Sequence, residues 1–377
     1  MPLVSPLGLY VHVPFCSAIC HHCNFNRGLL DEALKARYVE ALVAHIAREA
    51  DGSPADTIYF GGGTPSLLAA GGVARVVGAC RHAFAVTSDA EVTLEANPET
   101  LTPDTLAGFR AAGVNRLSLG VQSFHDEELA RLGRIHSAAR AREAFDQARR
   151  AGFDNVSLDL MLWLPGQSLE AWLASVDALT ALAPEHASLY LLELYPNAPL
   201  RDEMARGGWR LPGDDLAASM YLTGLARLEE AGYGQYEISN VARPGRRSRH
   251  NMKYWTDGAW LAFGCGAHGS RRRTRWRNVA STEEYIDRVA HGADVIAERW
   301  PLTPDAALGE AMFMGLRLAD GVDLRAVSER YGVDPLARYA EGLEPFLETG
   351  FLVTDGRRLR LTREGFLVAN EIMAVFV

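Results

Sequence analysis

Cys16, Cys20 and Cys23 place three thiols within eight residues of a 377-residue chain that holds five cysteines in all. An odd total and such crowding do not suit a disulfide framework; they suit thiolates that ligate metal in a reducing compartment. Three thiolates from one CxxxCxxC loop can hold three irons of a four-iron cube and leave the fourth iron open to a ligand. Structural zinc held by the same thiols with His21 or His22 is the alternative, but zinc more often takes two CxxC-type arms separated by a longer loop. Spacing, and placement directly after an apolar segment, favour the cluster.

Further groups with chemical potential follow at intervals. Gly61-Gly62-Gly63-Thr64-Pro65 ends an apolar run, where glycines would let backbone N–H groups approach a ligand. Glu95, Gln122, Arg134 and Asp159 stand in or just after apolar segments. Such segments rarely carry carboxylates inward unless something binds them, although each residue alone is as readily a paired structural group.

The elements that must position these groups read as strands and helices in alternation. Residues 7–13, 56–60, 91–96, 115–120, 154–162 and 186–194 are short apolar runs of strand type. Helical periods fill 32–50, 66–80, 102–113, 137–152 and 168–182, several opening on Ser or Thr and closing at Gly. Six βα units predict an α/β fold with a parallel, partly closed barrel whose chemistry sits at the strands' carboxyl ends. A helix follows at 213–231, and 233–240, 243–249 and 258–269 read as irregular. From about 305 short helices and a hairpin turning at Asp355–Gly356 form a separate small module. The expected division is 1–235, 236–304 and 305–377. The formal net charge of −9 disfavours a general nucleic-acid or anionic-membrane binder. With no secretory signal and no long apolar run, a cytoplasmic location is expected.

YVHVPFCSAICHHCNFN (10–26) resembles the opening of the coproporphyrinogen III oxidase-like branch of radical S-adenosylmethionine (SAM) proteins, and the resemblance runs along most of the chain. It implies a (βα)6 partial TIM barrel with a small C-terminal helical, winged-helix-like domain, a 4Fe–4S cluster, and SAM chelating the open iron. It also implies one-electron cleavage of SAM to a 5′-deoxyadenosyl radical, fed by a flavodoxin or ferredoxin. Carried over position by position, the SAM contacts are Tyr10, Gly62, Gly63, Thr64, Glu95, Gln122, Arg134 and Asp159. Arg134 suits the SAM carboxylate, and Glu95 and Asp159 suit ribose hydroxyls.

Within that branch the oxidase carries a further cysteine two residues after the third ligand, where this chain has Phe25, and a longer arm before its first strand. His250-Asn251-Met252-Lys253-Tyr254-Trp255 instead matches the HNxxYW signature of the haem-chaperone members. That match implies haem, with His250 as an iron ligand and Tyr254 and Trp255 as flat apolar surface, and transfer to haem-accepting proteins of respiratory or membrane-associated type. Without the match, a His and two aromatics capping the barrel is the plainer reading. Arginines at 243–249 and 271–277 are a solvated basic face or partners for haem propionates. Cys265 and His268 depart from the family's pattern and offer alternative haem ligands; Cys80 is a buried structural thiol. The oxidase itself, another tetrapyrrole-modifying radical SAM enzyme, and a zinc-stabilised binding module stand as alternatives. Either a monomer or a cluster-dependent dimer is compatible.

Overall fold

A computed structural model describes residues 5–196 and 198–377. Six parallel strands, β1 (Leu7–Val13), β2 (Pro54–Gly62), β3 (Ala85–Ala96), β4 (Arg116–Gln122), β5 (Val156–Leu162) and β6 (His186–Leu191), lie side by side in chain order. Helices α1 (Glu32–Arg48), α2 (Ala70–Ala83), α3 (Pro103–Ala111), α4 (Asp126–Arg131), α5 (Ala138–Arg150) and α6 (Leu169–Leu182) occupy the connections. Thr102, Ser137 and Ser168 cap their helices by accepting from the amides of Thr105, Arg140 and Ala171, as those residue types at those places predict.

Strand alternation separates two environments. Leu117, Leu119 and Val121 of β4 and Leu158, Leu160 and Leu162 of β5 join the continuous apolar core under the helices. Their neighbours Ser118, Gly120 and Gln122 on β4, and Asp159 and Met161 on β5, face a cavity on the other side of the sheet. Runs that read as uniformly buried are therefore apolar on one face and polar on the other.

The sheet continues past this barrel at both edges. Beside β6 lies β8 (Asn240–Ala242), antiparallel, followed by β7 (Gly234–Glu237). Beside β1 lies the parallel β9 (Trp260–Phe263), then β10 (His268–Arg271), β11 (Thr274–Asn278) and β12 (Ile296–Pro301), antiparallel in turn. The stretch expected to be irregular thus completes a 12-stranded sheet. Its strands were hidden by arginines and by a two-residue turn made of Arg272 and Arg273, at φ 52° and 58°, where Asn or Gly is the usual signal. Several of the arginines hold the fold together instead of awaiting a ligand. Arg271 pairs with Asp51 at 2.7 Å, Arg275 with Glu310 at 2.5 Å, Arg277 with Glu298 at 3.3 Å, and Arg247 with Asp320 at 3.0 Å. Arg249 reaches Asp56 and Asp89 at 3.4 and 3.5 Å. In this structure these arginines meet the chain's own carboxylates.

Past α7 (Leu200–Gly207), helix α8 (Asp214–Glu230) packs on α6 through Trp172, which is fully buried and donates its indole N–H to the Met220 carbonyl at 2.8 Å. The C-terminal segment builds its own apolar core from Leu308, Met312, Leu316, Leu352, Leu359 and Ile372. Its hairpin pairs Leu352–Thr354 with Arg358–Leu361 across the expected Asp355–Gly356 turn. Among the described residues no helix is long and apolar enough to cross a membrane. Truncating Trp172→Ala should lower unfolding stability by about 3–5 kcal/mol in urea titrations, because it empties the α6–α8 contact.

Candidate functional site

The loop after β1 is tied down on both flanks. Phe15 and Cys16 pair with Gly28 and Leu29, and Leu30 donates its amide to the Cys16 carbonyl at 2.9 Å. His12 Nε2 meets the Asn26 carbonyl at 2.7 Å, Arg27 donates to the Cys23 carbonyl at 2.7 Å, and His21 Nδ1 meets the Arg131 carbonyl at 2.9 Å. So held, Cys16, Cys20 and Cys23 all line a single cavity of about 370 Å³ at the carboxyl ends of the strands. Gly62, Gly63, Thr64, Glu95, Gln122, Arg134 and Asp159 line the same cavity. Six separated stretches of sequence converge here.

Glycine is required in the turn after β2 for packing. A Cβ on Gly63 would stand 2.8 and 2.9 Å from the carbonyl oxygens of Phe15 and Val13 and 3.1 Å from Cys16 Sγ. One on Gly62, at φ 112°, would lie 2.5 Å from the His12 ring. The turn does not, however, offer amides to a ligand. Gly62 N–H donates to Glu95 at 3.2 Å, Gly63 to the Val13 carbonyl at 2.8 Å, and Thr64 to the Phe15 carbonyl at 2.8 Å.

A polar chain joins the cysteines across the cavity. Thr64 Oγ1 donates to Cys16 Sγ at 3.6 Å and accepts from Asn97 Nδ2 at 3.2 Å. Asn97 Oδ1 accepts from Arg134 Nη2 at 2.7 Å; Arg134 also donates to the Gly120 carbonyl at 2.7 Å and to Cys20 Sγ at 3.3 Å. This leaves the Nε–H and one Nη1–H of Arg134 uncommitted, two separate charge-assisted donors that an anionic group could meet. Gln122 ends β4 at φ 70°, a left-handed conformation that costs a non-glycine residue energy and turns it toward the rim.

Glu95 and Asp159 form the floor. Tyr59 donates its hydroxyl to Glu95 Oε1 at 2.7 Å, and Ser118 donates to Asp159 at 3.1 and 3.3 Å. Burial, with Asp159 adding to it, pushes Glu95 up to about 7 against the opposing Tyr59 hydrogen bond. Burial likewise raises Asp159, opposed by Ser188, Arg116 and Ser118. Burial raises the Cys16 and Cys23 thiols, a penalty that ligation to iron would remove.

A family model described as Radical SAM superfamily matches residues 10–179, and one described as HemN C-terminal domain matches 302–368. The haem chaperone HemW of Bacillus subtilis is 36% identical over 374 residues, covering 98% of both chains. That of Mycobacterium tuberculosis is 38% identical over 375 residues, covering 98% of this chain and 94% of its own. The chain belongs to the HemW family of radical SAM proteins. Coproporphyrinogen III oxidase (HemN) from Escherichia coli superposes with a TM-score of 0.88 at 23% identity, over 99% of this chain and 90% of that one, which shows a shared fold.

The donor set fits the cofactors this family implies. Among the described residues no three His, Cys, Asp or Glu side chains converge as one ion would require. Three thiols that share one cavity suit the multi-iron cluster this family implies; His21 Nδ1 is taken by the Arg131 carbonyl, while His22 lines the same cavity with its Nδ1 unpartnered. Cys16, Cys20 and Cys23 would hold the cluster, with Arg134 toward the carboxylate of SAM and Glu95 and Asp159 toward its ribose.

Other expected site residues lie elsewhere. Tyr10 does not line the cavity; it lies beneath, its ring stacked 6.2 Å from Tyr59 and its hydroxyl 3.1 Å from His12 Nδ1. His250, on α9 (Arg249–Trp255), is fully buried at the opposite end of the barrel. Its Nδ1 meets Thr57 Oγ1 at 2.8 Å, its Nε2 meets Tyr254 Oη at 2.9 Å, and its ring stacks on Tyr59 at 5.0 Å. With both nitrogens engaged and no path to solvent, His250 is not an iron ligand here. Tyr254 packs edge-on against Trp260 at 4.7 Å, and one face of Trp255 is covered by Arg317 at 4.4 Å. Cys265 is enclosed by Tyr38, Asn26 and Thr282, which bars it from haem as well. Asn97 and Ser118 were not anticipated. Asn97 carried a legible signal, as a polar residue two places after Glu95 at a strand's carboxyl end before Pro98.

Asn97→Ala should weaken SAM binding about tenfold by freeing Arg134 from its anchor, with iron and sulfide content unchanged in equilibrium dialysis of reconstituted protein. A second expectation concerns pH. Burial pushes His250 from 6.5 down to about 3, so between those values the unfolded chain binds the extra proton and stability falls as pH drops. Relative to His250→Asn, wild-type stability should decline by up to about 1.4 kcal/mol per pH unit below about pH 6. Parallel urea-unfolding profiles for the two proteins would contradict a neutral, buried His250.

Proposed function

We propose that this chain is a cytoplasmic haem chaperone that carries a 4Fe–4S cluster and SAM and passes haem to acceptor proteins. The full-length relationship to proteins named haem chaperones supports this reading, and one structural observation carries it furthest. Phe25 and Leu191, at the lip of the cluster cavity, are 64% and 48% exposed. Ile135, next to Arg134 in the chain, is 59% exposed. Large apolar side chains held in water beside a cavity mark a surface that an apolar partner covers. The flat faces of a haem macrocycle are such a partner. In oxidase-type members of the branch a cysteine is expected at the place of Phe25, so the residue that separates the two activities is also the most exposed part of the lip.

When bound, the reduced cluster supplies one electron toward the sulfonium carbon–sulfur bond of SAM; a flavodoxin- or ferredoxin-type donor would deliver it. The chain's own residues orient the ligand. Arg134 takes its carboxylate, Thr64 and Asn97 fix Arg134 against the cluster loop, and Glu95 and Asp159 accept from hydroxyls.

Protein reconstituted with iron and sulfide should bind haem in absorbance titrations and fail to convert coproporphyrinogen III under anaerobic conditions with SAM and reductant. Phe25→Ser should weaken haem binding roughly tenfold, the loss of one buried aromatic face. Robust protoporphyrinogen formation would overturn the proposal.

A further inference from the structure

Arg116 opens β4 and is 2% exposed, among the largest fully buried side chains in the protein. Strand register places it opposite Thr93 on β3, two residues below the pairing of Ser118 with Glu95. It therefore occupies the barrel interior directly beneath the floor made by Glu95 and Asp159. Among the described residues Arg116 makes no ion pair of the kind Arg249 makes with Asp56, and its Nε–H has no hydrogen-bond partner. Leaving a guanidinium buried and unpaired costs several kcal/mol unless its charge is used where it stands.

The groups around it are defined on every side. Glu95 is faced by Tyr59, Tyr10, Tyr190, Tyr254, Asp159 and Arg116. Asp159 is faced by Ser118, Ser157, Ser188, Tyr190, Glu95 and Arg116. On its other side Arg116 acts on His186, His250 and Tyr236, none of which carries a negative charge near neutrality. Lys253, the cation beside His250, is neutralised by Asp56 at 2.6 Å, and Glu91 is taken up by the amides of Arg249 and His250 at 3.1 Å each. Arg134 above the cavity is committed to Asn97, Gly120 and Cys20.

We propose that Arg116 is a positioning residue for SAM: without touching the ligand, its buried charge keeps Glu95 and Asp159 as carboxylates able to accept hydrogen bonds from the two ribose hydroxyls. This rests on the family's SAM site and is independent of whether haem is the cargo. Burial pushes Glu95 up to about 7, and the cation one layer below in the barrel works against that shift together with the Tyr59 hydroxyl and the Gly62 amide.

The test is the pH profile of SAM binding to reconstituted protein, together with the infrared band of protonated carboxyl groups in the protein free of SAM. Arg116→Gln should move the acid limb of the binding profile to higher pH, losing about tenfold in affinity at fixed acid pH for each unit moved. It should recover wild-type affinity at alkaline pH, and the carboxyl band should persist to higher pH in step. Arg116→Lys, which keeps the charge, should retain the wild-type midpoint in both measurements. An unchanged midpoint in Arg116→Gln, whether affinity is normal or uniformly reduced, overturns the proposal. Should Arg116→Gln not accumulate, a shifted midpoint or carboxyl band in Arg116→Lys overturns it, and an unshifted pair supports it.

Discussion

The contact on which the site depends is the seating of the cysteine loop against the glycine turn that ends β2. Two amides of that turn, from Gly63 and Thr64, donate to the carbonyls of Val13 and Phe15 on either side of the loop's entry. Backbone can approach backbone this closely only because Gly63 lacks a Cβ. Once the two segments lock, Thr64 is brought to Cys16, Asn97 to Thr64, and Arg134 to both Asn97 and Cys20. Cysteine loop, Arg134 and the end of β3 become one hydrogen-bonded assembly without a covalent link.

Below that assembly the barrel interior is polar to an unusual depth. Several interior strand positions contribute a group with a defined partner: Tyr59 to Glu95, Ser118 to Asp159, Ser157 to His186, Thr57 to His250. A low-dielectric surround strengthens such bonds and penalises any group left out, as the Nε–H of Arg116 is. This explains why the histidine of the HNxxYW stretch is locked at the base. Its two ring nitrogens complete the network, and its neighbours Tyr254 and Trp255 seal the barrel against the C-terminal unit. The lip of the cavity, where Phe25 and Leu191 stand in water, is the place we propose for an apolar cargo, at the opposite end from that motif.

Much of this was legible in the residues themselves. The grouping of Cys16, Cys20 and Cys23 was, because thiol spacing within a single loop is a local, covalent property of the chain. The six barrel strands and their helices were, because apolar periodicity and Ser or Thr caps act over a few residues. Glu95, Arg134 and Asp159 stood out as charged side chains in or just after apolar runs, which is a signal of burial with a purpose.

Only the tertiary structure decided which face of each strand meets the helices, which carboxylate each arginine meets, and where His250 ends up. Those outcomes depend on pairing between segments up to 250 residues apart, such as β1 with β9, and no local pattern encodes a partner that distant. The same holds for Arg116. In sequence it is one more arginine before an apolar strand; its meaning comes from the barrel closing over it and leaving two carboxylates above.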